Sequence, residues 1–542
     1  MVSSATVEAG SRLEADLVIV GAGAAGITIA KRLAGTSHRI VVLESGGQEP
    51  DAFTQSLYKG AIAGQPTDPI DVSRLRYFGG TTNHWAGWCR PLDPADFRRR
   101  ADWPESGWPI ARSDIDPYYQ EAAALCQLGP VSFDDLPFWQ RQRGGRAVAP
   151  FPLDANLLRT AIFQVSPPTR FGKVYGPALE AANNIRLILN ATVLELLPAV
   201  ASRTDQPRKS VGSVRVTTKD SKSFTVSARA FVVALGGIES ARLLLLSDKV
   251  NPTGAGNEND LVGRYFMDHP WLTEACYLRF TRDGIQAPLY FDELSLAGAR
   301  IFGAITAAPE LLEREKIAAF RLVLRPSRVS TVGADSVRTL AAELKRGAFP
   351  ENLGEHVSNI FSDIDVLADS AYKTVTGSKK GWFADDNTRP YKGAFVDLNF
   401  EQRPNRDSRV LLDNSVDAFG QRRVRLDWRL SETDRRTATR ALDILAHEFG
   451  RIGLGRTRIR LDLANGAPWP RELIGSNHHS GTARMAENPK LGVVDGNCRV
   501  HSTTNLYIAG SAVFPTTGYA NPTMTIVALA SRLAVHLQSM LA

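Results

Sequence analysis

The order of apolar runs and glycines near the N-terminus predicts a strand, a tight turn, a helix and a second strand. An apolar run at residues 17–20 leads directly into Gly-Ala-Gly-Ala-Ala-Gly at residues 21–26, and an Ala-, Ile- and Leu-rich segment follows. A second strand-like run, residues 39–43, ends before Glu44. Short apolar runs beside glycine turns are typical of buried strands, and the segment between these two has the length of a helix. We therefore predict a strand-helix-strand unit here.

The glycine spacing in this unit indicates a dinucleotide site. Gly21 permits the tight turn, Gly23 lets a pyrophosphate approach the backbone, and Gly26 lets the helix pack closely on the strand. The phosphates would bind N–H groups at the helix start, and Glu44 is placed to accept a hydrogen bond from a ribose hydroxyl. An acid at this position disfavours NADP and leaves NAD and FAD open. The alternative is a glycine-rich loop in an ordinary α/β unit.

Three later segments extend this half of the chain. Residues 185–197 form a pair of strand-like segments around Asn190, and residues 211–226 have the alternation of a hairpin or meander. Residues 230–243 repeat the order of buried strand, glycine pair and helix, which is typical of a second crossing in the same nucleotide-binding sheet. An α/β element without a ligand contact is the alternative for this last segment.

The pattern changes between residues 276 and 461, where short strand-like pieces and a helix at about residues 433–451 replace the glycine-rich crossings. We predict a second lobe built on an antiparallel sheet, with loops or a helical lid in the weakly patterned residues 328–380. A substrate pocket would lie between the two lobes, as sites often do at domain junctions.

A block of small and aromatic residues at 77–88 contains His84 and suits a backbone packed against a flat ligand. The alternative is a buried aromatic corner in which His84 only binds a carbonyl. Near the C-terminus, Asn521 and Pro522 form a strong helix start, with Asn521 as the N-cap and Pro522 in the first turn. The positive end of that helix would stabilise negative charge on a ligand. Alternatively, Asn521 only caps the helix.

Composition limits the possible classes of protein. The chain has 542 residues, 43% of them hydrophobic, which is enough for two lobes. The formal charge of +7 is spread among acids, except at residues 98–100, so a solvated surface is favoured over nucleic-acid binding. Four separated cysteines without C-x-x-C spacing indicate buried thiols and no zinc or iron–sulfur site: Cys89, Cys126, Cys276 and Cys498.

The start of the chain is polar and has no apolar core of a secretory signal. No uncharged apolar stretch reaches the length of about 18 residues that a spanning helix needs. We therefore expect a soluble, cytoplasmic protein that has no membrane span and binds no nucleic acid.

Five segments occur in an order that resembles the glucose–methanol–choline family of FAD-dependent oxidoreductases: residues 16–44, 79–85, 234–239, 478–485 and 505–524. They bracket almost the whole chain, although residues 276–461 match only thinly. Within the family, Gly-Gly-Thr-Thr-Asn-His-Trp and a His/Asn pair resemble the branch that contains pyranose oxidases, fructose dehydrogenase and bacterial FAD glucose dehydrogenases. Enzymes of that branch oxidise sugar hydroxyls.

The resemblance implies an α/β fold, α+β overall, with two domains. A Rossmann-like FAD-binding domain would be discontinuous and comprise residues 1–90, 175–275 and 462–542. An antiparallel-sheet substrate-binding domain, with lid or loop insertions, would comprise residues 91–174 and 276–461.

The resemblance also implies the reaction and the site. FAD would oxidise a CH–OH group, most simply of a sugar, glycoside or cyclic polyol, to a carbonyl by hydride transfer to flavin N5. His478 would be the general base, poised near neutral pH, with His479 as the second candidate, and Asn521 would bond the substrate oxygen. The implied cofactor contacts are Gly21, Gly23, Gly26, Glu44, Gly80, Thr81, Asn83, His84, Val193, Ala234, Gly510, Ser511, Pro522 and Thr523.

Several alternatives stay open. Pyranose oxidases bond their flavin covalently at the position of His84, whereas similar relatives do not, and we favour non-covalent FAD. Those oxidases have a threonine where this chain has Ala86, so we favour a dehydrogenase or a slow oxidase. The electron acceptor would be oxygen, a quinone or a separate carrier protein. A FAD-bound lyase, an enzyme acting on a sterol or aryl alcohol, and a non-enzymatic flavoprotein are the competing hypotheses.

Overall fold

The structure is a computed structural model, which describes residues 2–3, 7–142, 148–199, 209–328, 332–345, 352–364, 367–368, 371, 390–463 and 466–542. In chain order its strands are β1 (Val2–Ser3), β2 (Arg12–Val20), β3 (Ile40–Leu43), β4 (Gly60–Ile62), β5 (Trp88–Cys89), β6 (Leu158–Val165), β7 (Ile185–Leu189), β8 (Ala191–Pro198), β9 (Val211–Thr218), β10 (Ser223–Val233), β11 (Pro270–Phe280), β12 (Leu294–Leu296), β13 (Ala299–Ala307), β14 (Phe320–Ser327), β15 (Gly393–Phe400), β16 (Arg409–Val416), β17 (Arg422–Asp427), β18 (Gly455–Ile459), β19 (Leu473–Gly475) and β20 (Leu506–Ile508). Its helices are α1 (Ala24–Arg32), α2 (Ala52–Ser56), α3 (Asp116–Leu125), α4 (Leu136–Arg141), α5 (Phe171–Ala181), α6 (Gly236–Leu246), α7 (Pro288–Phe291), α8 (Pro309–Glu315), α9 (Val332–Lys345), α10 (Leu353–Ser362), α11 (Glu432–Arg451) and α12 (Thr523–Leu541).

The first sheet has the strand order β1-β7-β3-β2-β10-β9-β8, and β20 pairs with β10. Strands β1, β7, β3, β2, β10 and β20 are parallel, and β9 joins β10 and β8 in antiparallel pairs. The strand-helix-strand prediction is confirmed, because β2, α1 and β3 follow one another around the glycines. Gly26 allows the close approach, since an added Cβ would lie 2.0 Å from the carbonyl oxygen of Gly21.

The second sheet is antiparallel throughout, as predicted, in the order β18-β11-β15-β14-β13-β6-β5, with β12 on β13 and β19 on β11. Its core packs on α11, which spans nearly the predicted residues. The strands of a third sheet, β16-β17-β4, pair with neither of the two large sheets. Strands β5, β11 and β19 lie wholly or partly in segments assigned to the first domain, so the domain boundaries stay a prediction.

The other local predictions are confirmed where residues are described. β7 and β8 flank Asn190, which has φ 56°, and β9 and β10 form the hairpin. The four cysteines are buried free thiols. Much of the weakly patterned segment 328–380 lies outside the described residues. Its described part includes the helices α9 and α10.

Helix α12 bears on two of the sequence predictions. It is long and apolar enough to cross a membrane by length and composition, although Arg532 interrupts it, and 61% of the qualifying window is buried inside the structure. It packs on α1 and α3, and this contact accounts for its apolar composition. The prediction that Asn521 caps it is wrong, because Pro522 holds the N-cap position and no side chain caps the helix.

Candidate active site

A cavity of about 910 Å³ is lined by residues of both large sheets. That volume lies near the top of the range of about 300–1,000 Å³ that is usual for small-molecule and cofactor sites. Most of the predicted site residues line it: Gly21, Gly23, Glu44, Gly80, Thr81, His84, Val193, Ala234, His478, His479, Gly510, Ser511, Asn521, Pro522 and Thr523. The fold thus brings together residues that are spread over some 500 positions of the sequence.

Two predicted contacts do not line the cavity. Gly26 packs α1 against the turn at Gly21, as described above. The amide nitrogen of Asn83 donates to the carbonyl oxygen of Phe78 at 2.9 Å, so Asn83 stabilises its own loop. Both residues therefore shape the site from behind its wall.

The glycines at the start of α1 leave room for a phosphate group. A Cβ added to Gly23 would meet nothing within 4 Å, and Gly23 lines the cavity. Helix α1 has no side-chain cap and no acid in its first turn, so no side chain of the helix itself binds its first N–H groups. An uncapped helix start beside open space is an anion site, and these residues fit the diphosphate of a dinucleotide.

Glu44 is already bound by the backbone. Its two carboxyl oxygens accept from the N–H groups of Ala22 at 2.8 Å and Gly46 at 2.9 Å. Burial raises the pKa of Glu44, and the two backbone donors oppose that shift. The carboxyl therefore anchors the glycine turn at the wall of the cavity. Its bond to a ribose hydroxyl stays a prediction.

His478 and Asn521 contact each other in the cavity wall, in a part other than the one formed by Gly23 and Glu44. Nε2 of His478 lies 3.1 Å from Nδ2 of Asn521, and Nδ1 of His478 lies 2.8 Å from Nδ1 of His269. The carbamoyl oxygen of Asn521 accepts a hydrogen bond from Arg321. These non-local bonds take the Asn521 side chain away from the helix start, which explains the missing cap.

Asp268 holds the segment that carries the histidine pair. Its carboxyl oxygens accept from the backbone N–H groups of His269 at 2.7 Å, His478 at 2.8 Å and Asn477 at 3.1 Å. Burial raises the pKa of Asp268 to about 7, although these donors act to lower it. This one carboxyl joins the backbone at His269 to the backbone at residues 477–478. The position of His478 therefore depends on Asp268.

The three histidines of this region are disposed to be neutral. Burial, followed by the proximity of His269 and Arg321, lowers the pKa of His478 well below its usual value of 6.5. Burial lowers the pKa values of His269 and His479 to about 3. The expectation of a base poised near neutral pH therefore changes, because a desolvated imidazole beside a cation disfavours a second charge.

His479 is oriented differently from His478. Its ring is buried, packs near Phe266, and has Nε2 3.8 Å from a carboxyl oxygen of Asp268. No hydrogen bond to Asn521 is present among the described contacts of His479. The geometry therefore favours His478 over His479 as the residue that faces a reacting hydroxyl.

Sequence reasoning missed Asp268, His269 and Arg321. Arg321 stands in an apolar strand, and its alternation with Val323 and Arg325 was a usable signal, since all three line the cavity. Asp268 and His269 lie about 210 positions before their partners, and nothing local marks them.

A second charged cluster lines the cavity near the first sheet. The carboxyl of Glu239 contacts the guanidinium groups of Arg74, Arg76 and Arg242 at 3.2–3.4 Å. Burial would raise the pKa of Glu239, but the three cations lower it to about 2. Arg242 also pairs with Asp417 at 2.7 Å. Three cations therefore face two carboxylates, which leaves one net positive charge at the cavity wall.

Comparison with known proteins finds one family match and several similar enzymes. A family profile described as GMC oxidoreductase matches residues 404–530. The fructose dehydrogenase large subunit of Gluconobacter japonicus is 23% identical, over 96% of this chain and 97% of that protein. The 2-methyl-1,2-propanediol dehydrogenase of Mycolicibacterium austroafricanum is 24% identical, over 96% of this chain and 94% of that protein. The chain therefore resembles GMC oxidoreductases, and its residues 404–530 match the profile of that family.

The fold of this chain is also that of solved structures. A formate oxidase variant of Aspergillus oryzae RIB40, solved to study FAD modification, superposes with a TM-score of 0.52 at 17% identity and covers 98% of this chain and 99% of that chain. The resemblance to the glucose–methanol–choline family and the predicted fold class are therefore confirmed.

Proposed function

We propose that this protein is a GMC oxidoreductase that binds FAD in the cavity and oxidises a CH–OH group of a sugar, glycoside or cyclic polyol to a carbonyl. The observation that carries the proposal is the pair of His478 and Asn521, whose side chains meet 3.1 Å apart at the cavity wall. Support for FAD comes from the open helix start at Gly23 and from the family.

The residues of the chain have distinct roles in this proposal. The backbone at Gly21, Gly23 and Gly80 borders the space for the diphosphate, and Glu44 lies beside it. The uncapped start of α12, at Pro522 and Thr523, gives positive potential to the part of the cavity beside Asn521. FAD supplies a two-electron acceptor for the hydride that leaves the alcohol carbon.

The proton of the alcohol goes to the protein. A hydroxyl bound beside the His478–Asn521 pair donates to Nε2 of His478 and accepts from the amide of Asn521. As the C–H bond breaks, the hydroxyl proton moves to Nε2 and the C=O bond forms. The walls around the histidine exclude water, because Arg321, His269 and His479 are buried.

The cavity wall also bears on the electron acceptor. Ala86 lines the cavity at the position where pyranose oxidases have a threonine. A methyl group offers no hydrogen bond to a reduced-oxygen species, so we propose a dehydrogenase or slow oxidase that uses a quinone or a separate carrier protein. We propose that FAD is held without a covalent bond to His84.

Anaerobic mixing of the holoenzyme with a panel of sugars, glycosides, cyclitols, sterols and aryl alcohols tests the proposal. Bleaching of the flavin by a sugar or polyol, followed by recovery of the carbonyl product, is the expected result. Product formation with the flavin fully oxidised throughout would identify a lyase and contradict the proposal. Bleaching by sterols or aryl alcohols alone would contradict the substrate class.

The pH dependence of flavin reduction follows from the lowered pKa of His478. A base with a lowered pKa stays unprotonated to lower pH, so the single-turnover rate should be constant as the pH falls through 6.5 and decrease only below it. Stopped-flow reduction at saturating substrate measures this profile. An inflection near pH 7 that disappears in Asp268→Asn belongs to that carboxyl, whereas one that persists contradicts the assignment.

A further inference from the structure

Arg321 is a buried cation at the cavity wall. Its side chain lies on β14 and is 4% exposed. Among the described residues, no carboxylate pairs with its guanidinium. Burial lowers the pKa of Arg321 to about 9. A buried charge without a partner is costly, so a fold that keeps one at a reactive site indicates a role there.

The guanidinium is held in one place. Its Nη1 donates to the carbonyl oxygen of Tyr519 at 3.2 Å and to the carbamoyl oxygen of Asn521. The rings of Trp88 and Phe163 lie 5.5 and 5.1 Å from the guanidinium carbon, which is the distance of a cation–π contact. Nε is buried without an acceptor. Arg321 is therefore a fixed donor that faces Asn521.

A fixed donor decides which way the amide of Asn521 points. A guanidinium has five N–H donors and no acceptor, so the atom of Asn521 beside it must be the oxygen. The NH₂ group then faces Nε2 of His478 at 3.1 Å. An amide NH₂ only donates, and therefore Nε2 must be the unprotonated nitrogen of the ring.

The protonation of His478 also fixes that of the neighbouring His269 ring. When Nε2 of His478 is unprotonated, its Nδ1 carries the proton and donates to Nδ1 of His269 at 2.8 Å. The proton of neutral His269 is then on its own Nε2. Nε2 of His269 is buried and has no hydrogen-bond partner among the described residues, although the nearby backbone of Gly518 and Thr517 acts to raise the pKa of this histidine.

We propose that Arg321 is a positioning residue that sets the tautomer of His478. By holding the carbamoyl oxygen of Asn521, it keeps Nε2 of His478 unprotonated and available to take the hydroxyl proton. Without Arg321 the amide can rotate by half a turn and present its oxygen to His478. The ring would then carry its proton on Nε2 and lose its function as a base. The inference rests on the proposed function, in which His478 is that base.

The cation also acts on the proton transfer itself. Arg321 disfavours a positive charge on His478, and it favours negative charge on a hydroxyl bound between His478 and Asn521. The pKa values of base and alcohol therefore fall together, and their difference changes less than either one. The other groups that face His478 are His269, His479 and the carboxyl of Asp268.

Two substitutions separate the donor role from packing. Arg321→Met keeps the volume and removes the donor, whereas Arg321→Lys keeps a donor and the charge. In the holoenzyme labelled with ¹⁵N-histidine, the signals of His478 are assigned by their absence in His478→Gln. We expect an unprotonated Nε2 in the wild type and in Arg321→Lys, and a protonated Nε2 in Arg321→Met.

Flavin reduction supplies the kinetic readout. We expect the rate to fall about 100-fold in Arg321→Met, at the lower end of what a general base contributes, and to return to within about tenfold of wild type in Arg321→Lys. The dissociation constant of the substrate should change less than the rate. Equal losses in the two variants would contradict the proposal.

The ¹⁵N signals of His478 test the proposal independently of activity, because they report its tautomer directly. An Nε2 that stays unprotonated in Arg321→Met overturns it, whatever the rate. If that variant does not fold, Asn521→Asp is used, because a carboxylate presents oxygen to both neighbours and should leave Nε2 of His478 protonated. An unprotonated Nε2 there also overturns the proposal. Normal flavin reduction by His478→Gln would instead contradict the proposed function and leave the tautomer result intact.

Discussion

Flavin reduction by the alcohol substrate should become 10²- to 10⁴-fold slower, on the order of what general-base catalysis contributes, when His478 is replaced by alanine. The imidazole Nε2 beside Asn521 is the acceptor for the hydroxyl proton, and the backbone around it is held by Asp268 through N–H groups that alanine retains. The loop should therefore keep its position while the base is lost. Anaerobic stopped-flow measurement of the first turnover isolates this step from reoxidation.

Two further histidine variants serve as controls for His478→Ala. His447 is exposed on α11, remote from the cavity lining, and His447→Ala should reduce its flavin at the wild-type rate. His479→Ala should lose less activity than His478→Ala, because the His479 ring faces Asp268. Added imidazole should restore part of the rate in His478→Ala alone. A loss in His479→Ala as large as that in His478→Ala would reverse the assignment of the base.

The parts of the fold that sequence reasoning predicted are those whose causes are local. The turn at Gly21, with φ 102°, requires a residue without a side chain. The short apolar runs on either side are stable only as buried strands. The hairpin of β9 and β10 follows from the alternation of its own residues. Elements of this kind can be predicted from a window of a few residues.

The site was only partly predictable because its chemistry depends on contacts between distant segments. His478 and Asn521 lie in two segments that resemble family motifs, residues 478–485 and 505–524, and these motifs identified both residues as candidates. Arg321 became part of the site through the register of β14 on β15, which sets it opposite Asn399. The wrong N-cap has the same origin, since a local rule for Asn521 competed with two non-local partners and lost.

Gly23→Val should produce a folded protein whose affinity for FAD is much weaker than that of the wild type. A side chain at position 23 has open space within the protein, yet that space is the part of the cavity next to the start of α1. It would block the approach of the diphosphate to the helix N–H groups. Losing two charge-assisted hydrogen bonds of about 1.5–3 kcal/mol each lowers the affinity by about 100-fold or more. Titration of FAD into the apoprotein, followed by flavin fluorescence, measures this loss.

Two other glycines separate blocked binding from misfolding. Gly26→Ala should destabilise the apoprotein, since its Cβ would lie 2.0 Å from the Gly21 oxygen, whereas Gly23→Val should melt like the wild-type apoprotein. Gly450→Val, in an exposed turn of α11 with equally open space around its Cβ, should leave both melting temperature and FAD affinity near wild type. Normal FAD affinity in Gly23→Val would show that the diphosphate does not lie at the α1 start. Unfolding of the Gly23→Val apoprotein would show that the space at position 23 belongs to the core and not to a ligand.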